Sequence, residues 1–167
     1  LFELGAGDGS KTMHLLTALK TRKFTYRPID ISSNSIDNLQ KRVAEELPSI
    51  EVEGMQGEYF EVLAKLTTGR PKIILFMGSN IGNMLDERAN EFLLKLSAVM
   101  EVGDRLLLGV DLIKDESVIL PAYNDSEGVT AEFNLNLLDR INRELGGDFD
   151  RKHFKHTPQY DKESGVA

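Results

Sequence analysis

The chain has 167 residues, of which 41% are hydrophobic and 28% charged, proportions ordinary for one globular domain with a sizeable core. Twenty Lys and Arg residues against 27 Asp and Glu residues give a formal net charge of −7, which disfavours nucleic acids and anionic membrane surfaces as partners. No apolar run approaches the roughly 20 residues of a membrane span, and cysteine is absent, so we expect a cytoplasmic protein without disulfides or a thiolate nucleophile.

Short apolar runs alternate with amphipathic stretches, a pattern typical of βα units around a mostly parallel sheet. We predict strands at residues 1–4, 25–29, 51–55, 72–77 and 105–110, and helices at 11–19, 35–46, 60–66, 86–100 and 130–145. Ser33 or Asn34 is expected to cap the second helix. Because the chain opens within a strand and ends in a turn, we expect residues 1–167 to form a single domain that is incomplete at both ends and lacks terminal strands.

A glycine-rich turn separates the first strand from the first helix. Gly5, Gly7 and Gly9 follow Glu3; glycine permits positive φ and close approach of a ligand, and the helix start offers amide donors. A dinucleotide fingerprint would read G-x-G-x-x-G. An acid two residues before G-x-G-x-G instead resembles the first motif of S-adenosylmethionine-dependent methyltransferases. A tight turn that binds nothing is the alternative interpretation.

Two charged residues support a cofactor at this turn. Asp30 ends the second strand about twenty residues after the glycines, where an acid can accept hydrogen bonds from ribose hydroxyls. Because Ser32 and Ser33 follow directly, a role in capping the next helix stays open. Lys11 lies in the first helical turn, where a cation is unfavourable unless it meets an anion such as a cofactor carboxylate; a solvated surface lysine is the alternative.

Two further segments follow predicted strands. Glu58 and Tyr59 come after the third strand, where this superfamily commonly places an acid and an aromatic or apolar residue against adenine, although a surface acid beside a core tyrosine is an equal alternative. Asn83 closes a polar segment after the fourth strand. Its amide can accept from an amine and donate to a carboxylate, whereas a simple turn former is the competing interpretation.

Longer motifs are more specific than the glycine turn. They read FMGSNIGN at residues 76–83, GVDLIKD at 109–115, AYNDSEGVTAEFN at 122–134 and NREL at 142–145. Together they resemble the histidine-specific methyltransferases, a family that makes hercynine, the trimethylated betaine of histidine, on the route to ergothioneine. The resemblance spans most of the chain and implies an α/β, Rossmann-like class I methyltransferase core that uses S-adenosylmethionine on a small-molecule amino acid.

The resemblance also implies roles for individual residues. The cofactor-binding residues would be Gly5, Gly7 and Lys11 at the methionine end, Asp30 at the ribose, and Glu58 with Tyr59 at the adenine. The α-amino and carboxylate groups of the amino acid would be held by Gly78, Asn83 and Tyr123, with Thr130 nearby. No catalytic acid or base is implied, since Asn83 aligns the acceptor amine. The family usually has Asp-Phe in place of Glu58-Tyr59, and Asn80 replaces a small hydroxyl residue.

Several alternatives stay open at this point. An NAD-type oxidoreductase would share the fold and the ribose acid, but it needs a different glycine spacing and a hydride-handling residue. The other alternative is a non-catalytic binding domain that keeps only the fold. His153 and His156 lack an acid that would complete a helix-face site, so we expect no metal. The segments that read the substrate imidazole in the family lie outside this stretch, so a related amine stays possible as acceptor.

Overall fold

The computed structural model describes residues 1–66 and 69–167, and the chain divides into two compact units, Leu1–Asp111 and Leu112–Ala167. The described part of the first unit is a parallel β-sheet with helices on both faces. The second unit contains two α-helices, a short 3-10 turn and one isolated β-bridge.

Among the described residues of the first unit, six short strands form the sheet. They are β1 Phe2–Leu4, β2 Thr25–Asp30, β3 Glu51–Val52, β4 Met55–Gln56, β5 Ile73–Phe76 and β6 Arg105–Leu108. Their order is β3-β2-β1-β5-β6, with β4 also pairing with β2, and every described pair is parallel. The prediction of an α/β fold around a mostly parallel sheet is confirmed. The strand order reverses between β1 and β5, and such switch points bind ligands in open α/β sheets.

Helices cover both faces of this sheet. They are α1 Ser10–Leu19, α2 Ser33–Glu46, α3 Tyr59–Leu63 and α4 Asp86–Val99. Alternate side chains of a strand point to opposite faces, so two apolar cores form. Phe2, Leu4 and Phe76 pack with residues of α3 and α4 on one face, whereas Tyr26 packs with residues of α1 and α2 on the other. The predicted helices are found, with ends shifted by a few residues.

The prediction of one continuous strand at residues 51–55 is wrong, because pairing with β2 is interrupted at Gly54. The Gly54 amide donates to Oε1 of Gln40 in α2 at 2.5 Å instead of to the neighbouring strand. A Cβ at this glycine would lie 2.3 Å from Cγ2 of Ile36. The close contact with α2 therefore divides the predicted strand into β3 and β4.

The prediction that Ser33 or Asn34 caps α2 is also wrong, by one or two residues. Ser32 is the cap: its backbone is extended, and its Oγ accepts a hydrogen bond from the Ser35 amide at 3.2 Å. Ser33 and Asn34 are already helical. Three polar residues in a row can each serve as a cap, and the dihedral angles at the end of β2 determine which one does.

A buried ion pair joins the amino ends of β5 and β6. Nζ of Lys72 lies 2.5 Å from Oδ2 of Asp104, and the two side chains are 2% and 0% exposed. Asp104 also accepts hydrogen bonds from the amides of Glu101 and Lys72, each at 2.8 Å. The Glu101 amide, followed by the bond from Lys72, lowers the pKa of Asp104 to about 2. This pair stabilises the end of the sheet opposite the carboxyl ends of the strands.

The second unit consists of α5 Glu116–Tyr123, α6 Val129–Leu145 and a 3-10 turn at Arg151–His153. Every residue in it remains at least partly exposed. Arg151 holds the turn against α6 through Glu132 at 2.6 Å and Asp139 at 2.9 Å. Across residues 1–66 and 69–167, no helix has the length and apolar character that crossing a bilayer requires.

Candidate cofactor and acceptor site

The loop between β1 and α1 is tied to the end of β2 by its own amides. Those of Gly5 and Ala6 both donate to the Ile29 carbonyl, at 2.9 and 3.0 Å, and that of Gly7 donates to Oδ2 of Asp30 at 2.9 Å. These three amides are therefore used within the protein. Gly5 and Gly7 have φ values of 71° and 55°, in the left-handed region that glycine adopts without strain. The glycines thus determine the shape of the loop.

Position 5 also has no room for a side chain. An ideal Cβ there would lie 2.6 Å from Oη of Tyr59 and 2.7 Å from Nδ2 of Asn80. At position 7, no described heavy atom lies within 4 Å of the equivalent Cβ. Gly5 is therefore required for both space and conformation, and Gly7 for conformation alone.

The start of α1 can receive an anion. Oδ1 of Asp8 accepts from the Ser10 amide at 3.0 Å, whereas the amides of Lys11 and Thr12 have no acceptor among the described residues. Unpaired amides in a first helical turn carry a partial positive charge. The Lys11 side chain is exposed and forms no ion pair within the described ranges. Two free amides and one cation are thus available here.

A cavity of about 260 Å³ opens at the carboxyl ends of β1 and β5. The glycine loop and the start of α1 form one wall, and the residues after β5 form the other. Gly5 and Lys11, predicted from the glycine-rich stretch, and Gly78, predicted from the segment after β5, all line it. Its complete lining is Glu3, Gly5, Ala6, Asp8, Gly9, Ser10, Lys11, Thr12, Met77, Gly78 and Asn80. The structure therefore brings the glycine loop and the segment after β5 together around one polar space.

Glu3 contributes a buried carboxyl group to this cavity. The residue is 5% exposed, and its two oxygens accept hydrogen bonds from Oγ1 of Thr12 and from the hydroxyl of Tyr26. Burial raises the pKa of Glu3, and the two hydrogen bonds oppose that shift. Glu3 was used in the motif but was not predicted as a site residue. The sequence feature that could have identified it as a site residue is its position two residues before the first glycine of the loop.

Asp30 lies next to the glycine loop, as predicted from its place at the end of β2. Its Oδ2 accepts from Gly7 and its Oδ1 accepts from the Ser32 amide at 3.0 Å. Each carboxylate oxygen has a second lone pair. The group is therefore held in place by two backbone amides and can still accept further hydrogen bonds.

Glu58 and Tyr59 occupy the start of α3. Glu58 is the cap of this helix, since its Oε2 accepts from the Phe60 amide at 3.0 Å, and its Oε1 lies 3.4 Å from Nη2 of Arg88. The Tyr59 ring packs edge-on against Phe76, with centroids 5.3 Å apart. Burial raises the pKa of Tyr59, and the nearby carboxylates of Asp30 and Glu58 raise it further. The phenol therefore remains a hydrogen-bond donor beside Gly5.

The segment after β5 bends sharply. Gly78 and Ser79 have φ values of 73° and 58°, and a 3-10 turn follows at Asn80–Asn83. A left-handed serine is strained and needs support from its surroundings, and here Ser79 Oγ accepts a hydrogen bond from the Asp111 amide at 2.9 Å. Gly78 and Asn80 line the cavity, whereas Asn83 is exposed at the end of the turn and is not part of the wall.

Asn80, like Glu3, lies in the cavity wall and was not predicted as a site residue. Its side chain lies over Gly5 and has no hydrogen-bond partner in the described part of the chain. The only sequence signal was that it replaces a small hydroxyl residue.

The other two predicted acceptor residues belong to the second unit. Tyr123 is the last residue of α5 and is 46% exposed. Thr130 lies in the first turn of α6, where its amide donates to Oδ1 of Asp125 at 2.8 Å. Hydrogen bonds from Thr130, followed by the Val129 amide, lower the pKa of Asp125 to about 2. The convergence of these residues with Gly78 and Asn83 stays a prediction.

Residues 1–66 and 69–167 contain no cluster of three or more His, Asp and Glu side chains that could hold a metal ion. His153 is exposed, whereas both ring nitrogens of His156 have protein neighbours.

A parallel sheet of this order, a glycine loop, an acid at the end of β2 and a cavity at the switch point define a Rossmann-like protein of the class I methyltransferase type. Within that class, the chain belongs to the family of histidine-specific, S-adenosylmethionine-dependent methyltransferases, whose model matches residues 1–167. The family resemblance and the cofactor expected from it are thereby confirmed.

Curated relatives agree with this assignment. The chain is 37% identical over 165 residues to histidine N-alpha-methyltransferase of Mycolicibacterium smegmatis, covering 98% of this chain and 51% of that protein. It is 39% identical over 162 residues to the protein of that name from Mycobacterium tuberculosis, covering 96% and 50%. The chain thus spans about half the length of the curated relatives it matches.

A solved structure supports the fold alone. This structure is a co-crystal of the protein WbdD with a kinase inhibitor, and the alignment covers 68% of this chain and 25% of that chain. The TM-score is 0.51 and the sequence identity is 20%.

Proposed function

We propose that the protein containing this chain transfers a methyl group from S-adenosylmethionine to the α-amine of an amino acid, most specifically histidine, and so forms hercynine. The observation that carries the proposal is the cavity between the glycine loop and the segment after β5, in a chain of this family. Both histidine N-alpha-methyltransferases named above align with nearly the whole chain.

The residues around the cavity fit the cofactor chemically. The Lys11 ammonium group and the amides of Lys11 and Thr12, which have no acceptor in the described part of the chain, suit the carboxylate of the methionine end. Asp30, held by two backbone amides, suits the ribose hydroxyls. Gly5 and Gly7 contribute the shape of the loop between these two groups rather than free donors.

For the adenine, we propose Glu58 and Tyr59. Each Glu58 oxygen has one neighbour, the Phe60 amide or Arg88, and each keeps a second lone pair for an exocyclic amine. Tyr59 offers its ring next to Asp30, although its packing against Phe76 also makes it a core residue. We therefore expect the adenine contacts to contribute less to affinity than the ribose contact.

On the acceptor side, we propose that Gly78, Asn83, Tyr123 and Thr130 orient the amine and carboxylate of the amino acid. When bound, S-adenosylmethionine supplies an electrophilic methyl group. The amine must approach it as a neutral lone pair, so the protein contributes alignment and exclusion of water. An amide such as Asn83 can orient an amine without a full charge, which suits a reaction in which the N–C bond forms as the S–C bond breaks and the positive charge moves from the sulfur to the amine nitrogen.

Ligand titration tests the cofactor part of this proposal. Calorimetric titration of the full-length protein is expected to show binding of S-adenosylhomocysteine and none of NAD. Binding of NAD would instead indicate an oxidoreductase, and binding of neither a domain that keeps only the fold. For the substrate, mass spectrometry of histidine incubated with full-length protein and S-adenosylmethionine is expected to show added methyl groups, and unmodified histidine would reject it as acceptor.

Asn83→Ala tests the acceptor site separately. It should weaken binding of the amino acid and leave the affinity for S-adenosylhomocysteine nearly unchanged. Asn38→Ala, on the exposed face of α2, serves as the matched control. Unchanged affinity for the amino acid in Asn83→Ala would reject the role of this residue.

We further propose that residues 1–167 act as one domain in the cytoplasm on small molecules, without nucleic acid or membrane as partner. The formal net charge of −7 supports the part of this proposal that concerns nucleic acid and anionic membrane surfaces.

A further inference from the structure

His156 joins three parts of the second unit at one point. Its Nε2 lies 2.6 Å from the carbonyl oxygen of Tyr123, and its Nδ1 lies 3.2 Å from Nδ2 of Asn134. Tyr123 ends α5, and Asn134 lies in the second turn of α6. One imidazole ring therefore bridges the end of α5 and the beginning of α6.

The two neighbours define the protonation of the ring. A carbonyl oxygen can only accept, so Nε2 carries the proton and donates to Tyr123. The Asn134 amide nitrogen can only donate, so Nδ1 is unprotonated and accepts. With the Asn134 amide nitrogen facing Nδ1, the two contacts are those of an Nε2–H tautomer, in which both ring nitrogens are in use.

The contact satisfies a carbonyl that its own helix leaves without a donor. Carbonyls of the last helical turn lack intrahelical partners, and Asn124, with φ of −141° and ψ of 56°, leaves the helix directly after Tyr123. At the other end of the same loop, the Asp125 carboxylate accepts hydrogen bonds from the amides of Val129 and Thr130, each at 2.8 Å. The loop between α5 and α6 is therefore held at both ends.

We propose that His156 is a positioning residue of the acceptor site. It acts through the Tyr123 carbonyl, which holds the backbone that carries the Tyr123 side chain, and Asn134 keeps the imidazole in the required tautomer. The proposal rests on the proposed acceptor role of Tyr123. His156 itself touches no substrate in this account, so its loss should change the binding of the amino acid and not that of the cofactor.

Steady-state kinetics of the full-length protein test this role. In His156→Ala, the KM for histidine should rise by about five- to tenfold, the equivalent of one lost hydrogen bond. The kcat and the affinity for S-adenosylhomocysteine should stay within about twofold of wild type. The reason is that the lost hydrogen bond holds Tyr123, a proposed acceptor residue, and not a residue of the cofactor cavity. His156→Gln, whose amide nitrogen can donate to the Tyr123 carbonyl, should recover most of the loss. His153→Ala is the matched control, since this nearby histidine is exposed.

The outcomes separate this proposal from the proposed function. Two results would overturn the positioning role alone, provided that the wild type is active. One is a KM for histidine that is unchanged in His156→Ala, and the other is a loss of histidine affinity in this variant that is matched by an equal loss of cofactor affinity. A wild type that methylates no histidine would overturn both. Nitrogen-15 NMR of the imidazole provides a readout independent of activity: we expect a neutral ring protonated at Nε2, and protonation at Nδ1 alone would refute the geometry.

Discussion

Replacing Gly5 by alanine should destabilise the protein more than the same change at Gly7. Both positions have left-handed φ values, so each alanine costs about 1–2 kcal/mol in backbone strain. Only at position 5 does the new methyl group lie 2.6 Å from Oη of Tyr59 and 2.7 Å from Nδ2 of Asn80. Overpacking of this kind adds about 1–3 kcal/mol. We therefore expect Gly5→Ala to exceed Gly7→Ala by that second amount.

Urea unfolding of the full-length variants, followed by far-ultraviolet circular dichroism, measures this difference. A second comparison identifies its cause: Tyr59→Phe removes the closer of the two clashing atoms, so it should cost less stability in the Gly5→Ala background than in the wild type. Equal free energies of unfolding for Gly5→Ala and Gly7→Ala would refute the reasoning. So would a cost of Tyr59→Phe that is the same in both backgrounds.

Three further predictions concern single side chains. Asp30→Asn should lower the affinity for S-adenosylhomocysteine by about tenfold or more, because a charged acceptor is lost next to Gly7; a calorimetric titration matching wild type would count against the ribose role. Lys11→Met should weaken the same binding about five- to tenfold without changing the melting temperature, since the lysine is exposed; a lower melting temperature with normal binding would contradict this. Asp104 has a folded pKa of about 2 against an ordinary 3.8, so its stabilising contribution is complete above about pH 4 and is lost as the pH falls towards 2. The free energy of unfolding of Asp104→Asn, measured by urea titration at several pH values, should therefore fall less than that of wild type as the pH is lowered. The same pH dependence in both proteins would contradict the role of the pair with Lys72.

The order of helices and strands was predictable because its signals are local. Apolar runs with β-forming residues mark the buried strands, and apolar residues at helical spacing mark the long helices. The predicted strand at residues 51–55 failed for a non-local reason. Gly54 gives its amide to Gln40, fourteen residues earlier, and no pattern within the strand indicates that contact.

The site was predictable where a motif requires a particular backbone or charge. Gly5 and Lys11, from the glycine loop and the start of α1, line one cavity with Gly78 from the segment after β5, and Asp30 lies against the glycine loop. The wall residues Glu3 and Asn80 were not predicted as site residues. Their place in the cavity depends on which neighbours the sheet brings to them, such as Tyr26 for Glu3 and Gly5 for Asn80.

The sequence by itself determined the succession of βα units, the positions that need glycine, and the family, because these follow from local conformational preferences and from motifs. Only the tertiary structure decided which donors remain free for a ligand. The loop amides of Gly5 and Gly7 are taken by Ile29 and Asp30, more than twenty residues away, whereas those of Lys11 and Thr12 have no acceptor among residues 1–66 and 69–167. Such pairings depend on the register between neighbouring strands, which forms only when distant segments pack together.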